Sequence, residues 1–338
     1  MQESFQDYFN HTIYPELYRK ERERRRLLGS MVAIGVLLAV SAYLMVRVGG
    51  LFGLVIFAFP GMMYFVWAGA KYQQYIKRFK PDIVNLILDH IDDKVSFGTL
   101  HYDPDRGIPK SDFIKSGLFV TKADYYEAED YISGIIGDVS FEFCEVRVAE
   151  FAGPQAGMRP VASGIFLKAE FGALKALEAR RQRQMQDAAG STSSREIPPA
   201  DEKKPQRERS LIFIVPKDAR AAMTRAIKRF HLQGAEPVTV TDEPDFDKYF
   251  TVYRARRAPV SMKVSAALSR RIFHFAEKMG HKPAILITNT GARALLPFEK
   301  DLLEPGYIFT RMTYEQIEKF YRDLQVIFGL IEELDRMF

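Results

Sequence analysis

The residues best suited to metal chemistry lie together between positions 90 and 105. This segment contains two histidines and four aspartates: His90, Asp92, Asp93, His101, Asp103 and Asp105. A calcium-binding loop that started at Asp103 would need a bidentate glutamate at its twelfth position, where the chain has Ile114. Neither histidine has a second histidine at helical spacing with which to hold zinc. We therefore predict no metal and no cofactor here, and interpret the segment as a helix end followed by a solvated loop.

The sequence does not point to a catalytic nucleophile. Cys144 is the only cysteine, and it lies inside an alternating strand pattern in which a packed thiol is the usual outcome. There is no Gly-x-Ser-x-Gly elbow, and the SGIIGD phrase lacks the Lys-Ser/Thr ending of a phosphate loop. We expect no catalytic residue. The alternative is an enzyme whose site is assembled from scattered residues, with His101, Asp103 and Glu299 as candidates.

Basic residues are concentrated beside apolar runs and in a polar linker. The net charge is +5. Nucleic acid is not expected as a partner, because its binding would require this charge to form one patch on a folded surface. Two basic clusters flank the apolar runs, where they would contact membrane headgroups: Arg19, Lys20, Arg22, Arg24, Arg25, Arg26, Lys71, Lys77 and Arg78.

Two uncharged apolar runs, residues 27–46 and 49–70, dominate the N-terminal part of the chain. At ~1.5 Å per residue each run gives a helix of ~30 Å, which matches the hydrocarbon core of a bilayer. One helix over both runs would measure roughly 66 Å and would place Arg47 in lipid. We predict a transmembrane hairpin whose tight turn contains Arg47, Gly49 and Gly50.

The flanking charges predict the orientation, because short cytoplasmic flanks collect Lys and Arg. Both termini are expected in the cytoplasm, at a bacterial inner membrane. A cleaved signal peptide is a rival interpretation of the first run, but 26 residues precede that run. Within residues 1–26, Phe5, Phe9, Ile13 and Leu17 share one helical face. That face would lie on the membrane surface or pack as an ordinary helix.

Residues 71–338 are predicted to form one cytoplasmic α+β domain with an antiparallel sheet and a long C-terminal helix. Alternating segments such as VSFEFCEVRVAEF and SLIFIVPK predict strands. The charged segment at about 176–209 contains too few large apolar residues to fold and is predicted to be disordered. It would be an insertion between two strands of one sheet, or the boundary between two domains.

Three helices of this part have recognisable ends. Pro81 suits the first turn of a short amphipathic helix, and Asp218 could cap another helix. Thr313 and Gln316 match a capping box at the start of the closing helix. The apolar stripe of that helix is wider than a coiled-coil seam, which favours packing in the core.

Several phrases, taken together, resemble one family. They occur in the order KSDFIKSGLF, DYISGIIGDVSFEFCEV, SGIFLKAEF, FDKYFTVY, LPFEKDLLEP and EELD. The chain resembles, from about Tyr8 to its C terminus, the bacterial membrane proteins grouped as domain-of-unknown-function family 3137. The resemblance implies a transmembrane hairpin followed by one cytoplasmic α+β domain, and it implies no activity. The charged insertion and the RARRAPVSMKVSAAL stretch depart from the family, so no function of that stretch is implied.

The predicted function is a membrane-anchored interaction module that is not an enzyme. Its expected partners are membrane lipid and a protein of unknown identity, contacted by the basic clusters beside the apolar runs. Arg254, Arg256 and Arg257 form a second candidate contact, although a solvated loop would also explain them. A homo-oligomer joined through Gly49 and Gly53, or through the closing helix, is a further alternative.

Overall fold

The computed structural model describes residues 4–49, 52–94, 98–172, 209–239, 245–259, 263–298 and 312–336. Gly50, Glu299 and residues 176–208 of the predicted insertion lie outside this described part. The chain divides into two compact units, which we describe separately. The first contains Met1–Lys94 and Leu303–Tyr321, and the second contains Val95–Leu302 and Arg322–Phe338.

The N-terminal part of the first unit is helical. A short helix continues through a π-helical turn into a long helix, and a second long helix follows: α1 (Phe5–Tyr8), the π-helical turn (Phe9–Ile13), α2 (Tyr14–Gly49) and α3 (Phe52–Lys94). Lys20 of α2 forms an ion pair with Asp82 of α3, and the Tyr64 hydroxyl donates to the Met31 carbonyl at 2.9 Å. Early residues of α2 thus contact late residues of α3, so the two helices run antiparallel.

The prediction that a separate helix begins at Pro81 is wrong, because α3 is one continuous helix. Pro60 and Pro81 both lie inside it. An internal proline removes a backbone hydrogen bond and costs ~3 kcal/mol. Burial of neighbouring side chains offsets that cost, since each fully buried large apolar side chain contributes ~1.5–3 kcal/mol. The buried neighbours of Pro81 are Phe79, Ile83, Val84, Ile87 and Leu88.

The residues predicted to form the turn lie partly inside α2. Arg47 and Gly49 belong to the last turn of this helix, and Gly50 lies outside the described part. The Arg47 guanidinium donates through Nε to the Tyr43 hydroxyl at 3.2 Å, one helical turn earlier. The helix therefore extends further towards the second apolar run than the sequence pattern predicted.

One helix among the described residues is long and apolar enough to span a membrane. It covers Phe5–Val48, and none of its most apolar window is buried. The identification rests on length and composition. It supports one candidate span, not the two that the sequence predicted.

The N-terminal segment packs as a helix, which is one of the two alternatives that its apolar face left open. Phe5, Phe9 and Ile13 are all buried. The Phe5 ring stacks on Tyr321 with its centroid 4.0 Å away, and Phe9 meets Tyr314 edge-on at 4.8 Å. Aromatic pairs of this kind add ~0.5–1.5 kcal/mol to the burial of their area.

The second unit is built on a nine-stranded sheet, in which every pair of neighbouring strands is antiparallel. This confirms the predicted α+β class and the antiparallel sheet. The strands are β1 (Gly98–Asp103), β2 (Tyr125–Ile136), β3 (Val139–Phe151), β4 (Met158–Phe171), β5 (Ser210–Pro216), β6 (Ala235–Val238), β7 (Phe250–Ala255), β8 (Ala284–Thr288) and β9 (Gly291–Leu296). Their order is β1-β2-β3-β4-β9-β8-β5-β7-β6.

The strands on either side of the charged segment belong to this one sheet but are not neighbours. β4 ends at Phe171 and β5 begins at Ser210, and β9 and β8 lie between them. Of the two interpretations of the segment, an insertion between strands of one sheet therefore fits this topology.

The described helices of the later part of the chain are α4 (Lys110–Lys115), α5 (Ala221–Leu232), α6 (Phe246–Tyr249), α7 (Ala266–Met279) and α8 (Tyr314–Asp335). α4 and α5 share one apolar core with the sheet, which includes Phe113, Phe166, Phe213 and Phe230. α5 does not begin at the predicted cap. Its N-cap is Arg220, whose side chain makes no capping hydrogen bond, and Asp218 instead pairs with Lys282.

The closing helix α8 starts and packs as predicted. The Thr313 backbone N–H donates to the Gln316 amide oxygen at 3.0 Å, which is one half of the capping box. The C-terminal end of α8 contacts the β2–β3 turn, where the Asp138 N–H donates to the Asp335 carboxylate at 3.2 Å. The apolar stripe is buried, as expected for a core helix: Ile317, Phe320, Leu324, Ile327, Ile331 and Leu334.

Candidate functional site

The two basic clusters, separate in the sequence, lie at the same end of the antiparallel pair of helices. Lys20 contacts both Asp82 and the Arg78 carbonyl, so the start of α2 lies beside residues 78–82 of α3. Seven of the predicted cationic side chains are exposed at this end of the helix pair, and we call them the basic band: Arg19, Arg22, Arg25 and Arg26 of α2 with Lys71, Lys77 and Arg78 of α3.

Two predicted headgroup contacts have structural roles instead. Lys20 is only 5% exposed, and its ammonium lies 2.5 Å from the Asp82 carboxylate. Arg24 is largely buried and binds both Glu21 oxygens, at 2.8 and 2.9 Å. A buried cation needs a partner of opposite charge to offset its desolvation. These two side chains therefore stabilise the helices and are not available to lipid.

Carboxylates on α2 hold some of the band in place. Glu21 accepts hydrogen bonds from Arg24 and from Arg25 Nε at 2.9 Å, and these bonds, foremost that of Arg24, lower the pKa of Glu21 to about 2. Arg19 pairs with Glu16, and Arg22 lies over the Tyr18 ring. Within the described part of the chain Arg26, Lys71 and Arg78 have no carboxylate partner. Each of these three cations can bind an external anion without losing an ion pair to a described carboxylate.

Exposed apolar side chains cover both helices next to the basic band. Water-exposed apolar surface of this extent marks an interaction site or a membrane contact. On α2 the exposed side chains are Val32, Ile34, Val36, Leu37, Val40, Tyr43, Leu44, Met45 and Val48, and on α3 they are Phe59, Met62, Met63, Phe65 and Val66.

Other predicted site residues belong to the second unit. Arg254 is the penultimate residue of β7, and Arg256 and Arg257 are exposed in the turn that follows. His101 is exposed on β1, and the Asp103 carboxylate accepts the Asp105 N–H at 3.2 Å. Across the residues that the structure describes, no group of three or more His, Cys, Asp and Glu side chains could hold a metal ion.

The second unit contains a cavity that the sequence did not reveal. It has a volume of about 460 Å³ and lies where β5 ends and β8 begins; we call it the sheet-end cavity. Asp218, Arg220, His281 and Lys282 provide the ionisable groups of its lining. β5 and β8 are antiparallel neighbours, so residues that follow one strand lie beside residues that precede the other. Only the order of strands in the sheet could have revealed this cluster.

One family model matches a segment of the chain. Residues 203–336 match a family model described as "Protein of unknown function (DUF3137)", which confirms the family resemblance and assigns no activity. No curated protein and no solved structure matches the chain.

Proposed function

We propose that this chain, whose residues 203–336 match the model of the family of proteins of unknown function called DUF3137, is a membrane-anchored interaction module. In this proposal α2 and the first half of α3 cross a bacterial inner membrane, and the basic band binds anionic lipid headgroups at the cytoplasmic face. One observation carries the proposal: the exposed apolar side chains of the two antiparallel helices adjoin the exposed cations of the band.

The apolar surface supports burial in lipid. The exposed positions run from Val32 to Val48 on α2 and from Phe59 to Val66 on α3. Burial of apolar surface contributes ~25 cal/mol for each Å², so a bilayer around both helices would be strongly favourable. Because α2 and α3 run antiparallel, a chain that crosses through α2 would return through α3.

The charge distribution supports an orientation with both termini in the cytoplasm. Seven exposed cations lie at one end of the helix pair, and Arg47 lies near the other end. Cytoplasmic flanks of membrane helices are enriched in Lys and Arg, and each one near an anionic surface contributes ~1 kcal/mol. The second unit would then follow α3 on the cytoplasmic side, where a protein partner could bind it.

Charge reversal tests the orientation. We expect that the triple variant Arg22→Glu, Arg25→Glu and Arg26→Glu inverts or scrambles the topology, because it removes the charge asymmetry between the two ends. The measurement is the activity of reporters fused to the C terminus, one active only in the cytoplasm and one only outside it. Lys20 and Arg24 stay unchanged, since their loss would disturb packing.

The matched control reverses three exposed cations of the second unit, Lys217, Lys228 and Arg229, and changes the net charge by the same amount. We expect its topology to remain that of the parent chain. An unchanged orientation in the band variant would contradict the proposal, and so would an equal effect in the control.

A further inference from the structure

The sheet-end cavity has a chemical character that membrane anchoring does not use. Its volume of about 460 Å³ lies in the range of small-molecule sites, ~300–1,000 Å³. Such sites are mostly apolar and carry a few polar groups that converge on the ligand. The lining here combines charged residues from two loops with apolar residues from β4, β9, α5 and the segment after α4, so a ligand would meet both polar and apolar surface.

Among the charged side chains that line the cavity, Arg220 is available to bind an anionic ligand. Lys282 Nζ lies 2.8 Å from the Asp218 carboxylate, and this contact lowers the pKa of Asp218. Arg220 is exposed and forms no ion pair within the described part of the chain. The three side chains together carry a net charge of one positive unit, which favours an anionic ligand. Arg220 offers several N–H donors in one plane, a geometry that suits a carboxylate or a phosphate.

The apolar part of the lining is buried and held in place. Phe119, Val161, Met223 and Leu295 are all less than a tenth exposed. The loop that carries Phe119 is tied to α5, because Arg225 Nε donates to the Val120 carbonyl at 2.9 Å. A ligand would therefore meet a preformed apolar surface, with little ordering of side chains to oppose binding.

We infer that the sheet-end cavity binds a small amphiphilic anion, whose carboxylate or phosphate lies against Arg220 and whose apolar body lies on the surface formed by Phe119, Val161, Met223 and Leu295. The inference is independent of the membrane topology. Carboxylates and phosphates share the chemistry that Arg220 recognises, so the experiment compares both.

The test uses the full chain in phosphatidylcholine nanodiscs, with empty nanodiscs as the blank. Phenylacetate and phenyl phosphate are the anionic probes, and phenylethanol is a neutral probe of similar apolar size. Binding is measured by saturation-transfer NMR and by calorimetric titration. We expect at least one anionic probe to bind more tightly than phenylethanol, by about tenfold or more, since a charge-assisted hydrogen bond accounts for that ratio.

Single variants assign the binding to the cavity. Arg220→Gln should weaken the binding of the anionic probes by about tenfold, whereas Lys228→Gln, which removes an exposed cation from the helix α5 that follows Arg220, should leave their binding unchanged. Ser163→Trp introduces a bulky ring at an exposed cavity-lining position on β4 and should block all three probes. Asp218→Asn releases Lys282 from its ion pair and should strengthen anion binding, which a loss of structure would not do.

Three outcomes would overturn the inference. The first is that neither anionic probe binds, or that both bind no better than phenylethanol. The second is that Arg220→Gln and Lys228→Gln have equal effects. The third is that Asp218→Asn weakens the binding of anions. Failure here would leave the proposed anchoring intact, because the topology experiment does not involve these residues.

Discussion

Cys144 is a thiol that the fold keeps protonated. Burial raises its pKa to about 12, although the Ile108 N–H, which donates to Sγ at 3.2 Å, acts in the opposite direction. Because the thiolate is the reactive form, we expect native Cys144 to react with thiol reagents at about pH 8 roughly a thousandfold more slowly than in the unfolded chain. Rates with and without denaturant measure this. Rapid labelling of the folded protein would show that the thiol is accessible.

The same thiol predicts a pH dependence of stability. A pKa that is raised in the folded state means that folding holds the proton more tightly than the unfolded chain does. The stabilisation is fully present below about pH 8.5 and is lost as the pH rises towards about 12. Chemical unfolding curves across this range should show a decline that is steeper for the parent chain than for Cys144→Ala. An equal decline of stability with pH in the parent chain and in Cys144→Ala would contradict the raised pKa of Cys144.

A buried hydrogen bond between Tyr102 and Asp130 spans β1 and β2. The Tyr102 hydroxyl donates to the Asp130 carboxylate at 2.6 Å, and both residues are less than a tenth exposed. Loss of one partner leaves a buried polar group less satisfied, so Tyr102→Phe should lower the free energy of unfolding by about 1–3 kcal/mol. The control is Tyr125→Phe, which removes an exposed bond to Glu127 and should cost less than about 1 kcal/mol. Equal losses would contradict the role of burial.

At the scale of elements, Arg225 joins α5 to the sheet and to the loop before β2. It donates to both Glu150 oxygens, at 2.8 and 2.7 Å, and Thr121 donates to the same carboxylate. We expect Arg225→Gln to speed hydrogen exchange in residues 119–123 while the exchange of β3 and β4 stays unchanged, because the loop loses its attachment. Arg229→Gln, an exposed position one turn later, is the control. Unchanged exchange in the loop would contradict this account.

The sequence predicted elements whose signals are local. Alternation in VSFEFCEVRVAEF predicted β3, and a capping box with an apolar stripe predicted α8. Predictions of helix ends from neighbouring residues were wrong where contacts between residues distant in the sequence set the structure. Pro81 lies inside a helix because the side chains around it are buried, and Asp218 pairs with Lys282 rather than capping α5. The basic clusters were visible in the sequence, but burial alone separates the structural Lys20 from the exposed Arg26.

At the scale of the whole molecule, the single tryptophan provides a test of how deeply the helices enter lipid. Trp67 lies on α3, between exposed Val66 and the basic Lys71. If residues 49–70 cross the bilayer, Trp67 lies near the cytoplasmic headgroups, where tryptophan is enriched. In reconstituted vesicles we expect nitroxide labels near the headgroup to quench its fluorescence more strongly than labels deep in the acyl chains.

A second variant makes this depth measurement independent of the local environment of Trp67. The pair Phe59→Trp and Trp67→Phe moves the fluorophore eight residues along α3, or ~12 Å deeper if the helix spans the membrane. Phe59 is 67% exposed, so the larger ring fits without disturbing the packing of the helices. The order of quenching should then invert, with deep labels the more effective. If both positions respond equally to shallow labels, α3 lies along the membrane surface, and the spanning helix pair is contradicted because α2 packs antiparallel to α3.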